Sequence, residues 1–119
     1  FYASHLVEMT LAVYGMDVKA ISAFLNNGHI TAIAHYDKYD VTMQFANSKK
    51  YVSVIYGETD VDIRYLDMSG IFIAEFKDFV DMVRTGKSPL TDDQLLIPVL
   101  VMNAIEKSLE QKKIVRIDR

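Results

Sequence analysis

His5 and Glu8 stand three positions apart in a helix-favouring stretch, a spacing that puts an imidazole and a carboxylate on one helix face. An imidazole can donate a proton near neutral pH, which carbonyl reduction or alcohol oxidation requires. The same spacing equally suits a helix histidine hydrogen-bonded to a neighbour, so residue types alone leave both readings open. Two ligands are too few to define a metal site.

The segment His35-Tyr36-Asp37-Lys38-Tyr39-Asp40 also gathers chemistry-bearing side chains. His35, Asp37 and Asp40 are of metal-ligating type. Aspartates collect naturally in turns, however, and the segment reads as a strand end, a solvated turn and a new strand; no metal is expected there. His29 follows an Asn-Asn-Gly turn and is expected to be exposed. Tyr51, Tyr56 and Tyr65 suit strand positions, where sheet packing competes with ring stacking on a sugar or nucleobase. The five glycines are scattered, with no phosphate-cradling G-x-G-x-x-G or Walker spacing. There is no G-x-S-x-G nucleophile elbow, and the absence of cysteine excludes disulfides, thiolate nucleophiles and Cys-ligated zinc.

The elements that must position these residues follow from hydrophobic periodicity. Residues Tyr2 to Tyr14 have apolar side chains at helical spacing on nearly every face, with Gly15 as a stop. Short strands are expected over Val18–Leu25, Ile30–Tyr36, Val41–Phe45, Tyr51–Tyr56 and Val61–Tyr65. Their short connections, including Asn26-Asn27-Gly28, favour antiparallel pairing. Helical spacing returns at Ile73, Phe76, Val80 and Val83, with Gly86 as a C-cap. Thr91-Asp92-Asp93-Gln94 has the form of a capping box. The helix behind it aligns Leu95, Val99, Met102, Ile105 and Leu109, and Pro98 inside it should bend it. Ile114–Ile117 reads as a last short strand.

The expected fold is therefore α+β: a mostly antiparallel open sheet of about six strands, with helices packed on one face. Neither alternation set of strands such as Val18–Leu25 is wholly polar. This predicts an apolar outer sheet face that meets a partner, either a second copy of the chain or another domain.

Composition bounds the rest. The 119 residues amount to about one domain. A net charge of −3 argues against a dedicated nucleic-acid binder. Half of the residues are hydrophobic, which excludes disorder. No apolar run approaches the roughly 18 residues of a membrane span, and no signal peptide is visible, so a cytoplasmic location is the default expectation. The opening Phe1-Tyr2, running at once into a helix, reads as a piece cut from a longer protein or as a processed product.

Two segments carry a family resemblance. The first runs from Ser4-His5-Leu6-Val7-Glu8-Met9 to Val13-Tyr14-Gly15: a helix with a histidine, an acidic residue three positions later, and a terminal glycine. The second runs from Phe76-Lys77-Asp78-Phe79-Val80 through Arg84-Thr85-Gly86-Lys87-Ser88-Pro89-Leu90 and on to Ala104-Ile105-Glu106-Lys107-Ser108. Together, and in their order of elements, they resemble the C-terminal domain of the Gfo/Idh/MocA oxidoreductases, the glucose–fructose oxidoreductase and inositol dehydrogenase family. The resemblance implies that residues 1–119 form one substrate-binding and oligomerisation domain. A Rossmann domain binding NAD or NADP would precede it and is not in this chain. The parent would then be an NAD(P)-dependent oxidoreductase acting on a sugar, polyol or related hydroxy or carbonyl compound.

By the same resemblance His5 is the active-site histidine that binds substrate or moves its proton, with Glu8 beside it in the substrate site. The chain alone would bind no dinucleotide and turn nothing over. It would self-associate as a homodimer or higher homo-oligomer through the open sheet. One position departs from the family pattern: Phe1 stands where many members have an aspartate, and a phenyl ring cannot relay a proton or bind a sugar hydroxyl. Either Glu8 or a residue outside this chain takes that role, or the chemistry has changed or been lost. A non-catalytic, ligand-sensing relative with the same fold, or a stand-alone dimeric α+β binding module, are the alternatives.

Overall fold

The computed structural model describes residues 3–48 and 50–119. The chain order is α1 (Ala3–Tyr14), β1 (Ala20–Asn26), β2 (His29–His35), β3 (Asp40–Phe45), β4 (Tyr51–Tyr56), β5 (Val61–Leu66), α2 (Ile71–Thr85), α3 (Asp92–Gln111) and β6 (Val115–Arg116). The fold is α+β with antiparallel pairing and open sheets, as the sequence pattern predicts. Among the described residues the strands divide into a four-stranded sheet ordered β3-β2-β1-β6 and a two-stranded sheet, β4-β5. The chain correspondingly forms two compact units, one running to Ala46 and resuming at Leu90, the other spanning Asn47–Pro89.

The first unit is organised by the β1–β2 hairpin. Its two turn residues, Asn27 and Gly28, have φ of 48° and 77°, as a two-residue turn matching the strand twist requires. That turn fixes the register from Asn26↔His29 to Ala20↔His35. The β2–β3 register then places Ile21, Ala34 and Val41 in one row and Ala23, Ala32 and Met43 in another, on the same face. All six are buried. Helices α1 and α3 cover them with Val7, Leu11, Ile97, Val101, Ala104 and Ile105. Each large side chain removed from water in this way contributes about 1.5–3 kcal/mol. The alanines in the sheet rows and at Ala104 leave room for the helix to approach closely.

Helix α3 starts at the capping box: Gln94 donates its backbone N–H to Thr91 Oγ1 (3.2 Å), and the Thr91 N–H donates to Gln94 Oε1 (2.9 Å). The helix continues unbroken through Pro98, which is itself buried beside Ile97. Near its end, buried Ser108 accepts the Ala23 N–H (2.9 Å) and donates to the Lys113 carbonyl (2.7 Å). Strand β6 pairs only with Ala20 and Ile21, so Ser108 supplies the partner that the β6 ladder does not extend far enough to give Ala23.

The second unit consists of the β4–β5 hairpin and α2. The hairpin register runs from Tyr51↔Leu66 to Tyr56↔Val61. Helix α2 ends at Gly86, whose φ of 66° suits a glycine C-cap and whose N–H donates to the Met82 carbonyl. None of the α2 residues is buried.

The expectation of an apolar outer sheet face changes in detail. On the four-stranded sheet, the face away from α1 and α3 is mixed, carrying Ser22, Thr42, His35 and Asp40 among Phe24 and Ile33. Exposed large apolar side chains are instead abundant on β4–β5 (Tyr56, Ile63, Tyr65) and on α2 (Phe72, Phe76, Phe79).

Candidate functional site

Helix α1 is held by its buried side, where Val7 and Leu11 enter the core and the Thr10 hydroxyl donates back to the Leu6 carbonyl (2.7 Å). Its C-terminus closes at Gly15, with φ 104° and an N–H donated to the Leu11 carbonyl. Two tyrosines from the β2–β3 connection then fasten it. Tyr36 donates its hydroxyl to the Gly15 carbonyl, and Tyr39 donates to the Tyr14 carbonyl. The two rings stack with centroids 4.6 Å apart. The aromatic turn that resembles a ligand cluster in sequence is thus a clamp on the end of the helix that bears His5.

His5 and Glu8 emerge on the same exposed side of α1. Nδ1 of His5 lies 3.9 Å from Glu8 Oε2, and the side chains are 48% and 57% exposed. This is ion-pair distance, too long for a direct hydrogen bond. The arrangement gives a solute access to a proton-exchanging ring beside a negative charge. The departure at Phe1 lies outside the described residues.

The other histidines separate. His29 is exposed at the tip of the β1–β2 hairpin. His35 ends β2 in a hydrogen-bonded row, with Nε2 2.7 Å from Ser22 Oγ and Nδ1 2.9 Å from Asp40 Oδ1. Asp37 instead lies 3.8 Å from Lys19 Nζ, which is paired more closely with Asp17 at 2.8 Å. That hydrogen bond from Lys19 holds the Asp17 carboxyl below, and the Lys19 ammonium above, their usual ranges. Among the described residues no group of three His, Cys, Asp or Glu side chains is arranged to hold a metal ion.

Residue-type reading missed Ser22, because it lies 13 positions from His35. The available signal was the Asn27-Gly28 turn. Counting outward from it places Ala20 opposite His35 and Ser22 diagonal to it on the same face.

Two depressions accompany these groups. A groove of about 490 Å³ runs along the β1–β6 edge, lined by Lys19, Ala20, His35, Ile114 and Arg116. A smaller one of about 360 Å³ in the second unit is lined by Lys50, Tyr51, Tyr65 and Asp67, among others. In that loop Ser69 donates both its N–H and its hydroxyl to the Asp67 carboxylate, keeping its pKa below the usual carboxylate value. No helix among the described residues is long and apolar enough to cross a membrane.

No protein-family model matches the sequence, and no curated protein matches it. Among solved structures, the chain is similar to the "putative oxidoreductase yvaA from Bacillus subtilis", with a TM-score of 0.59 and 12% identity. The similarity covers 97% of this chain and 51% of the Bacillus subtilis chain, so the present chain spans about half the length of that protein. At this identity the likeness establishes a shared fold.

Proposed function

We propose that this chain is the substrate-binding and oligomerisation domain of an NAD(P)-dependent oxidoreductase of the Gfo/Idh/MocA type. The observation that carries the reading is the correspondence of nearly the whole chain to about half of a chain described as an oxidoreductase. The two sequence segments around His5 and Gly86 support the same family, and the exposure of His5 beside Glu8 suits a substrate-facing role.

The residues present do not fit a dinucleotide. Gly28 and Gly57 turn hairpins, Gly15 and Gly86 end helices, and Gly70 stands alone between β5 and α2, so among the described residues no glycine-rich strand-to-helix turn is present to cradle a pyrophosphate. NAD or NADP is therefore assigned to a separate Rossmann domain. Within this chain, His5 holds or moves a proton at the hydroxyl or carbonyl oxygen of a sugar, polyol or similar small molecule. Glu8 stands beside His5 in the substrate site. Tyr36 and Tyr39 keep α1, and with it His5, in position. Self-association through the open sheet belongs to the same proposal, as does a cytoplasmic location. The identity of Phe1 favours a second reading, a ligand-sensing relative that keeps the fold and has given up hydride-transfer chemistry.

The intact mass of the natural gene product, followed by NADH and NADPH titrations, tests the assignment. A product larger by a domain of ~150 residues that binds the coenzyme, while residues 1–119 alone do not, is expected. A natural product of this chain alone, or saturable coenzyme binding by residues 1–119, would overturn it. Coenzyme binding without turnover of any hydroxy compound would favour the sensing relative.

A further inference from the structure

We propose that Ser22, His35 and Asp40 form a second site: an acyl-accepting serine served by His35, which also lines the β1–β6 groove. The proposal does not depend on the His5–Glu8 assignment, since none of its groups lies on α1; because its groups share the outer face of the four-stranded sheet, it requires self-association to leave them uncovered.

The geometry is that of nucleophile, base and orienting carboxylate in series. Ser22 Oγ is 2.7 Å from His35 Nε2, and His35 Nδ1 is 2.9 Å from Asp40 Oδ1. A carboxylate only accepts, so a neutral imidazole donates from Nδ1 to Asp40 and keeps Nε2 as the acceptor. The Ser22 hydroxyl must then donate to Nε2, which is the direction that makes its oxygen nucleophilic. Three adjacent strands hold the three groups, with the Ala20↔His35 and His35↔Asp40 pairings setting the rows, so the order is fixed by sheet register. Ser22 is nearly buried, at 7% exposed, whereas the side chains of His35 and Asp40 are 28% and 60% exposed.

The groove supplies the rest of a site. His35 and Ala20 line it, and Ala20 is two residues from Ser22 on the same sheet face. Ile114 and Ile117 give it an apolar wall, and its charged lining residues are Lys19, Arg116 and Asp118. Lys19 is engaged by Asp17 and Asp37. Arg116 and Asp118 add one charge of each sign to the remaining lining. The near-burial of Ser22 restricts the electrophile to a small acyl group, so the substrate class is a short ester.

In the reaction, a bond forms from Ser22 Oγ to the ester carbonyl carbon and the carbon–alkoxy bond breaks. The serine proton passes through His35 Nε2 to the departing alcohol. Water then attacks the acyl-serine, gives its proton to His35, and releases the acid while Ser22 regains its hydrogen. Asp40 is a positioning residue throughout.

The test is labelling of the full chain with a small alkyl fluorophosphonate, in which the Ser22 oxygen displaces fluoride, read by intact mass and peptide mapping. One adduct per chain at Ser22 is expected, together with a burst of p-nitrophenol from p-nitrophenyl acetate. His35→Ala should slow labelling by about a hundredfold or more, the usual scale of a lost general base. Asp40→Asn should slow it less and shift its pH profile. Labelling elsewhere in the chain, an unchanged adduct yield in Ser22→Ala, or no adduct in wild-type protein whose circular dichroism shows it folded would each overturn the proposal.

Discussion

The Tyr36 hydroxyl donates to the Gly15 carbonyl at 2.8 Å, tying the β2–β3 connection to the end of α1. Burial, followed by the neighbouring Tyr39 and Asp17, pushes the phenol from its usual 10.0 up to about 12. The protonated form is thus favoured by folding. Its stabilisation is complete below about pH 10 and is lost as pH rises through about 12. An absorbance titration of the tyrosines should show one late-ionising ring that disappears in Tyr36→Phe. A late phase that survives the substitution would contradict the clamp.

Ser108 gives a second test, away from any site. It is buried and satisfies both the Ala23 N–H and the Lys113 carbonyl. Ser108→Ala should leave those groups unpaired and lower stability by about 1–3 kcal/mol in urea unfolding. An unchanged midpoint would mean the bridge is replaceable by water.

At the start of α3, Thr91→Ala removes the side-chain half of the capping box, and a loss of about 0.5–2 kcal/mol is expected. Thr91→Ser, which keeps the acceptor, should retain most of it. Equal losses in both variants would show that the hydroxyl is not the stabilising group.

Local chemistry made much of this fold legible. The Asn27-Gly28 turn, the Thr91–Gln94 capping box and the Gly86 C-cap each depend on a few neighbouring residues, and each is found where the pattern puts it. The division of the strands was not legible. Alternation in Tyr51–Tyr56 reports a strand but not which sheet it joins, because pairing is decided by distant backbone partners. The candidate site divides the same way. His5 beside Glu8 follows from helical spacing alone. The row from Ser22 through His35 to Asp40 needs the register of two strand pairs, and the Tyr36–Tyr39 clamp needs the helix end that it grips.

The His5–Glu8 geometry bounds what the carboxylate can contribute. At 3.9 Å and half exposed, the pair is screened by solvent. Under the proposed oxidoreductase reading, Glu8→Gln in the full-length protein should reduce turnover by less than about tenfold, the ceiling for an exposed ion pair. A much larger loss would make Glu8 a direct substrate ligand.

The most direct test of the account is steady-state turnover of the full-length gene product with NAD or NADP and a panel of sugars and polyols, comparing wild type with His5→Ala. A drop of at least about tenfold, with coenzyme affinity unchanged, is predicted, since general acid–base catalysis is worth 10²–10⁴-fold where it operates fully. An unchanged rate would remove His5 from the mechanism and contradict the assignment of this chain as the substrate half of the enzyme.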